Sequence, residues 1–133
     1  MRRTMMVTTG TALAAVLMAT APMAIGRGGG DDDRDVEVAG TCTMGSTATL
    51  DLSEEDGRVE VELEVDENRV GSRWSVAINR NGKSAVRRTA TTRAPSGSFE
   101  VRRVVAPGSP RTRVTAVARR AATGEVCRAR AVL

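Results

Sequence analysis

The sequence predicts an all-β fold, an antiparallel immunoglobulin-like β-sandwich of about seven to eight short strands closed by one disulfide. Three observations support this prediction. Apolar and charged residues alternate with period two, turn residues recur at short intervals without any helical period, and the two cysteines lie in the first and last of the expected strands. A small closed barrel is the alternative arrangement of such strands.

Three strands are expected in the first half of the folded region. The first covers residues 36–43, and the second includes the alternating apolar positions of residues 47–52. An Asp56-Gly57 turn joins the second strand to residues 58–66, in which apolar and charged residues alternate strictly. A strand with this alternation has one buried face and one solvated face.

Five further strands are expected in the second half. Trp74 lies on the apolar face of the strand at residues 73–79, and we expect it in the core because a lone Trp in a strand usually packs inside. The Asn81-Gly82 pair is a strong hairpin signal. It leads into residues 83–92, whose register is ambiguous. Phe99 and Val101 mark a further strand, and the last two strands are expected at about residues 111–119 and 125–132, with Pro- and Gly-containing turns between the strands.

Residues 1–26 have the features of a secretory signal peptide. Arg2 and Arg3 provide the positive start, an apolar run follows, and small residues precede the expected cleavage after Gly26. Cleavage after Ala21 also fits, and the export route is either the general secretory or the twin-arginine pathway. A membrane-spanning helix is the alternative, but the apolar run is shorter than the roughly 20 residues that a span needs.

The rest of the chain divides into a tail and one domain. Residues 27–35 are rich in Gly and Asp and contain no apolar residue, so we expect a flexible tail. The β-sandwich domain is expected to cover residues 36–133. The mature protein is therefore expected to be secreted, with its signal peptide removed and no membrane span after processing.

The two cysteines, Cys42 and Cys127, are predicted to form a disulfide. An exported chain meets oxidising conditions, and a pair with no third Cys can form one bridge. A redox or metal-binding pair is the alternative, but it lacks the CxxC spacing and a further soft ligand.

The composition argues against an enzyme. The chain has no His, which excludes a Ser-His-Asp triad, a Cys-His dyad and a His-ligated metal. Its carboxylates are concentrated at Glu60, Glu62 and Glu64, on one exposed strand face with no predicted cleft. We therefore expect no catalytic residues, no cofactor and no metal site. Nucleic acid is not an expected partner, because aromatic residues make up only 2% of the chain and cannot provide a stacking platform.

Charge is divided between the two halves of the chain. Residues 31–67 contain fourteen acidic and two basic residues, a net charge of −12, whereas residues 68–133 contain fifteen basic and two acidic residues, a net charge of +13. Three interpretations are open: the acidic strand pairs with Arg-bearing strands of the same sheet, the basic half is an exposed binding patch, or oppositely charged faces of two copies meet. The candidate binding residues are Arg102, Arg113, Arg119, Arg128 and Arg130.

These observations predict a secreted, non-enzymatic binding or structural module. Its partner is not identified by the sequence; an anionic cell-envelope polymer and a secreted protein are the candidates. One alternative function is a small-ligand carrier with a cleft near Trp74. Another is an inhibitor of a secreted hydrolase that presents the exposed loop at residues 93–97.

The chain also resembles a group of small, functionally uncharacterised secreted proteins from actinobacteria. The segments that carry the resemblance are GSTATLDLSEEDGRVEVELEVDENRVGSRW, NRNG, APSGSFEVRRV and TGEVCRARA, which are turns and strands spread over essentially the whole mature chain. The resemblance implies export and a disulfide-closed β fold, and it implies no catalytic residues.

Overall fold

The structure is a computed structural model that describes residues 34–133, and these residues form nine β-strands in two antiparallel sheets. The strands are β1 (Asp35–Ala39), β2 (Thr41–Cys42), β3 (Thr47–Glu55), β4 (Arg58–Asp66), β5 (Arg73–Arg80), β6 (Lys83–Thr91), β7 (Ser98–Val105), β8 (Arg113–Arg120) and β9 (Val126–Val132). The first sheet has the order β1-β3-β4-β7, and the second has the order β2-β9-β8-β5-β6. The predicted all-β sandwich is confirmed.

The structure has one strand more than the predicted maximum because the first expected strand is divided at Gly40. β1 pairs with β3 in the first sheet, whereas β2 pairs with β9 in the second. A Cβ atom on Gly40 would lie 2.8 Å from the carbonyl oxygen of Arg128, so the chain can cross between the sheets here only without a side chain. β1 also begins at Asp35, one residue before the expected start of the domain.

Two predicted hairpins form, and each stays within one sheet. Asp56 and Gly57 both have positive φ angles between β3 and β4, as do Asn81 and Gly82 between β5 and β6. Positive φ at both central residues is typical of a type I′ turn, whose twist matches the flanking strands. If β1 and β2 are counted as one divided strand, β3 and β4 are the second and third strands, and they pair in one sheet. In immunoglobulin domains the second and third strands lie in different sheets, so the connectivity differs.

The core lies between the sheets and is built mainly from Val, Ala and Leu. The alternating apolar residues of β3 and β4 are buried, and those of β8 and β9 face them from the second sheet. Trp74 is fully buried, as expected, and its ring centroid lies 6.0 Å from that of Phe99. The two aromatic rings therefore contact each other across the interior and supply the largest side chains of a core made of small ones.

β6, which covers the residues whose register the sequence leaves ambiguous, pairs with β5 through a β-bulge near the turn. Ile78 pairs with Val86, but the next residue of β5 pairs with Ser84, so Ala85 has no partner of its own. Val86 and Ala90 are buried, while Arg88, which has the same parity, is exposed. β6 is the edge strand of its sheet, and this position leaves Arg88 outside the covered interior.

Glu67, just after β4, is the centre of a largely buried polar network. Its side chain is 5% exposed, and its Oε2 accepts a 2.7 Å hydrogen bond from Nε1 of Trp74. Its Oε1 accepts a hydrogen bond from the hydroxyl of Ser72 and lies 3.4 Å from a guanidinium nitrogen of Arg120. The buried carboxylate is thus both hydrogen-bonded and charge-paired, which is what its removal from water requires.

The disulfide between Cys42 and Cys127 is confirmed, and it joins directly opposite residues of β2 and β9 within one sheet. A second buried carboxylate lies beside it. Glu125 is 4% exposed and accepts hydrogen bonds from the backbone N–H groups of Met44 and Ser46, both at 3.1 Å. The bridge and Glu125 together hold residues 42–46, which lead from β2 to β3, against the start of β9.

The predicted signal peptide at residues 1–26 and nearly all of the predicted tail at residues 27–35 lie outside the described residues. No helix in the described part of the chain is long and apolar enough to cross a membrane.

We predict that the disulfide makes a large contribution to stability. The two cysteines are 85 residues apart, and closing so long a loop in the unfolded chain stabilises the native state by about 4–5 kcal/mol on the chain-entropy account. The Cys42→Ala, Cys127→Ala double variant should lose this amount in urea unfolding at neutral pH, with wild-type protein under reducing conditions as the control. A loss of less than about 1 kcal/mol in both samples would contradict the prediction.

Candidate functional site

Apart from β2 and β7, the strands of the acidic half of the sequence lie in the first sheet and those of the basic half lie in the second. Every charged residue in the strands of the second sheet is Arg or Lys. The strands of the first sheet carry most of the carboxylates of the described residues, together with Arg58, Arg102 and Arg103. Because the side chains of a strand alternate between core and solvent, these charges lie mainly on the two outer faces of the sandwich.

The outer face of the second sheet carries a set of arginines that we call the arginine face. They share the strand parity opposite to that of the buried residues, and each is exposed to solvent. They are Arg73 on β5, Arg87 on β6, Arg113 and Arg119 on β8, and Arg128 and Arg130 on β9. Four of the five predicted binding residues therefore lie together here; Arg73 and Arg87 were not among the predicted residues.

Small residues separate the arginines along the strand pairings. Arg128 lies opposite Val117, which lies opposite Ala77, and Ala77 lies opposite Arg87. Two open depressions occupy this surface, with volumes of about 500 and 450 Å³, and both are lined by Val117. Their other lining residues include four members of the arginine face, namely Arg128 and Arg130 in the first and Arg87 and Arg119 in the second. The result is a shallow trough with a floor of short side chains and guanidinium groups along its sides.

Within residues 34–133, the guanidinium groups of the arginine face form no hydrogen bonds or ion pairs with other side chains or carbonyls. Glu67 and Glu125, the two carboxylates nearest in sequence to β5 and β9, are used by the buried contacts described above. Unpaired guanidinium groups on a common face produce a positive potential that attracts anions. The arginine face is therefore the best candidate site in the described part of the chain.

Arg102 lies apart from this group, on the outer face of the first sheet. Its guanidinium lies 2.6 Å from Glu62, 2.9 Å from Glu100 and 3.6 Å from Glu60. The hydrogen bond that Arg102 donates to Glu62, followed by the negative charges of Glu62, Glu100 and Glu60, raises the pKa of Arg102. Pairing of acidic and basic strands within one sheet therefore occurs between β4 and β7, but the second sheet has no acidic strand with which it could occur.

Two groups of potential metal ligands are engaged in other contacts. Oxygen atoms of Glu62, Glu64 and Glu100 lie within 4.8 Å of one another, but Arg102 contacts the first and last of these side chains. Cys42 and Cys127 lie near Glu125, and their sulfur atoms are joined to each other. A disulfide sulfur lacks the thiolate charge that makes cysteine a strong metal ligand.

The loop proposed for a hydrolase inhibitor is tightly folded. The N–H group of Arg93 donates to the carbonyl oxygen of Ser98, and the carbonyl oxygen of Arg93 accepts from the N–H group of Gly97, both at 2.8 Å. Recognition of an extended peptide by strand addition uses these same main-chain groups. The geometry thus disfavours the inhibitor, and the complete burial of Trp74 likewise disfavours a carrier that uses this residue as a cleft wall.

No protein-family model, curated protein or solved structure gives a significant match to the chain. The resemblance to secreted actinobacterial proteins stays a prediction, and the functional argument depends on the geometry of the site.

We predict that Arg93 does not act as an inhibitory residue for trypsin-like proteases. Both main-chain groups of Arg93 are used inside the loop, so the oxidised protein should leave trypsin activity unchanged, and cleavage after Arg93 should require local opening of the loop. The measurements are the rate of peptide hydrolysis by trypsin and mass-spectrometric mapping of the cleavage products. Inhibition that is lost in an Arg93→Gln control variant would contradict this prediction.

Proposed function

We propose that the protein is an exported, non-enzymatic binding module whose arginine face holds an anionic polymer. The observation that carries the proposal is a sheet face with only positive charges, none of them paired within the described residues. A guanidinium donates two parallel hydrogen bonds to a phosphate or carboxylate group, which makes Arg well suited to this class of ligand.

The shape of the face favours a chain-like ligand over a small molecule. The two depressions are open to solvent and share Val117, so they form a continuous surface without enclosing walls. Small-molecule sites are usually concave and bury most of the ligand. A flexible polymer can instead contact several separated guanidinium groups at once, and each further contact is made at high effective concentration.

The same face is poorly suited to tight binding of another protein. The cores of protein–protein interfaces are enriched in aromatic residues, which provide most of the binding energy. Trp74 and Phe99 are the only aromatic residues of the chain, and both are buried. Binding through the arginine face should therefore be mainly electrostatic and strongly dependent on salt concentration.

The disulfide supports export. Disulfides persist in oxidising compartments, and the bridge closes a small β domain whose core contains few large side chains. A protein outside the cell would meet the anionic polymers of the envelope, which are the partner class that the arginine face fits.

We predict that the purified, oxidised protein binds inorganic polyphosphate and poly-L-glutamate with an affinity that falls as NaCl is raised. The logarithm of the binding constant should fall linearly with the logarithm of the salt concentration, because binding releases counterions. In Arg128→Gln, Arg130→Gln protein, the slope for polyphosphate should decrease by about 1.4, at roughly 0.7 for each lost contact. Isothermal titration calorimetry over a series of salt concentrations measures both quantities.

The matched control is Arg93→Gln, Arg103→Gln, which removes the same charge from exposed positions that line neither depression of the arginine face. Its salt slope should equal that of the wild-type protein. Equal losses in the two variants would show an effect of net charge alone and would overturn the assignment of the site. Absence of binding by wild-type protein at low salt would overturn the proposed function.

A further inference from the structure

The face opposite the arginine face is densely acidic, and the proposed function leaves it unused. We call it the acidic face, and its carboxylates have the outward parity of the first sheet. They are Asp35 and Glu37 on β1, Asp51 and Glu55 on β3, Glu60, Glu62, Glu64 and Asp66 on β4, and Glu100 on β7. Because the two faces are the outer surfaces of the two sheets of one sandwich, each molecule has opposite charges on opposite sides.

Carboxylates on the acidic face are placed next to each other across the strands. Glu37 lies opposite Asp51, Asp51 lies opposite Glu62, and Glu64 lies opposite Glu100. Like charges that are directly opposite in a sheet destabilise it. Arg102 relieves this repulsion at the β4–β7 side only, since its contacts are with Glu60, Glu62 and Glu100. An external cation, or a positively charged surface, would relieve it elsewhere on the face.

We propose that copies of this protein associate head to tail, with the arginine face of one copy on the acidic face of the next. This inference is independent of polymer binding and adds a second ligand for the arginine face. The two faces present charges of opposite sign, and alternate residues lie about 6.8 Å apart along a strand, as do Arg128 and Arg130 on β9 and Glu60, Glu62 and Glu64 on β4. An unpaired guanidinium on its long side chain can therefore approach a carboxylate of the neighbouring copy, and the acidic face gains positive charges that it lacks.

The area of the contact sets its strength. The smaller, acidic face is four strands wide and about eight residues long and covers roughly 500 Å², so a contact would bury about 1,000 Å² in total. This is at the lower limit for a specific interface, and the faces contain no aromatic side chain. The association is thus weak, reversible and sensitive to salt, and polyanions compete with it for the arginine face.

The arrangement also determines how the assembly grows. A contact between two different faces is heterologous, so a bound copy still presents one free arginine face and one free acidic face. Further copies can add at both ends, and the average mass rises continuously with protein concentration. A symmetric dimer would instead stop at twice the mass of one chain.

The test is sedimentation equilibrium of the purified, oxidised protein in 20 mM and in 500 mM NaCl. We expect the weight-average mass at low salt to increase with protein concentration beyond that of a dimer, and to fall to the monomer mass at high salt, where the Debye length is only a few ångström. A monomer at both salt concentrations, or a dimer that resists high salt, overturns the proposal.

Charge-reversal variants test the pairing of the faces. Arg128→Glu, Arg130→Glu changes the arginine face, and Glu37→Lys, Glu64→Lys changes the acidic face at two exposed residues that do not contact Arg102. Each variant alone should associate at least about tenfold more weakly than wild-type protein. An equimolar mixture should associate again, because each variant keeps the face that the other has lost. Failure of the mixture, with both variants folded by circular dichroism, overturns the head-to-tail contact.

The outcome is distinguishable from that of the proposed function. Polyphosphate binding without self-association leaves the polymer as the only ligand of the arginine face. Self-association without polyphosphate binding removes the proposed function and leaves the arginine face as an interface between copies. If both are present, added polyphosphate should lower the weight-average mass at 20 mM NaCl, and an unchanged mass would contradict the shared use of the face.

Discussion

Strand register is the constraint on which the other features of this protein depend. A shift of β4 by one residue would place Glu60, Glu62 and Glu64 in the core and Val59 and Val61 in water. The same alternation that buries the valines therefore presents an ordered row of charges to solvent. The two hairpins keep sequence neighbours in one sheet, so an acidic segment and a basic segment become two faces of opposite sign. The charge separation is a direct consequence of how the core is packed.

Polar anchors compensate for a core of small side chains. Valine and alanine bury less apolar area than larger residues, so each contact contributes little. The disulfide fixes the two-residue strand β2 on β9, Glu125 holds the segment that follows it, and Glu67 links Trp74 to Arg120. None of these stabilising contacts involves an arginine of the arginine face, so its guanidinium groups are available for ligands. The residues that stabilise the fold are thus different from those proposed to bind a ligand.

Much of the fold could be predicted because its signals are local. Strict alternation in β4 and the Asn81-Gly82 turn are properties of neighbouring residues, and they correctly predicted strands and hairpins. The division of the first strand at Gly40 depends on contacts with distant strands, and the bulge at Ala85 depends on how β6 pairs with β5; alternation encodes neither. For the same reason the candidate site was only partly predicted. Charge counts identified the basic half of the sequence. Arg102 belongs to that half but lies in the first sheet, away from the arginine face, and only the tertiary structure shows in which sheet a strand lies.

The most direct test of this account is a map of polyphosphate binding by nuclear magnetic resonance. The isotope-labelled, oxidised protein would be titrated with polyphosphate in low salt, and backbone amide and arginine Nε–H signals would be followed. The account predicts that the changes concentrate on β5, β8 and β9 around Val117, Arg128 and Arg130, while amides of β1, β3 and β4 remain unaffected by the ligand. Changes centred on the acidic face or on the loop at residues 93–97, with the arginine face unaffected, would contradict it.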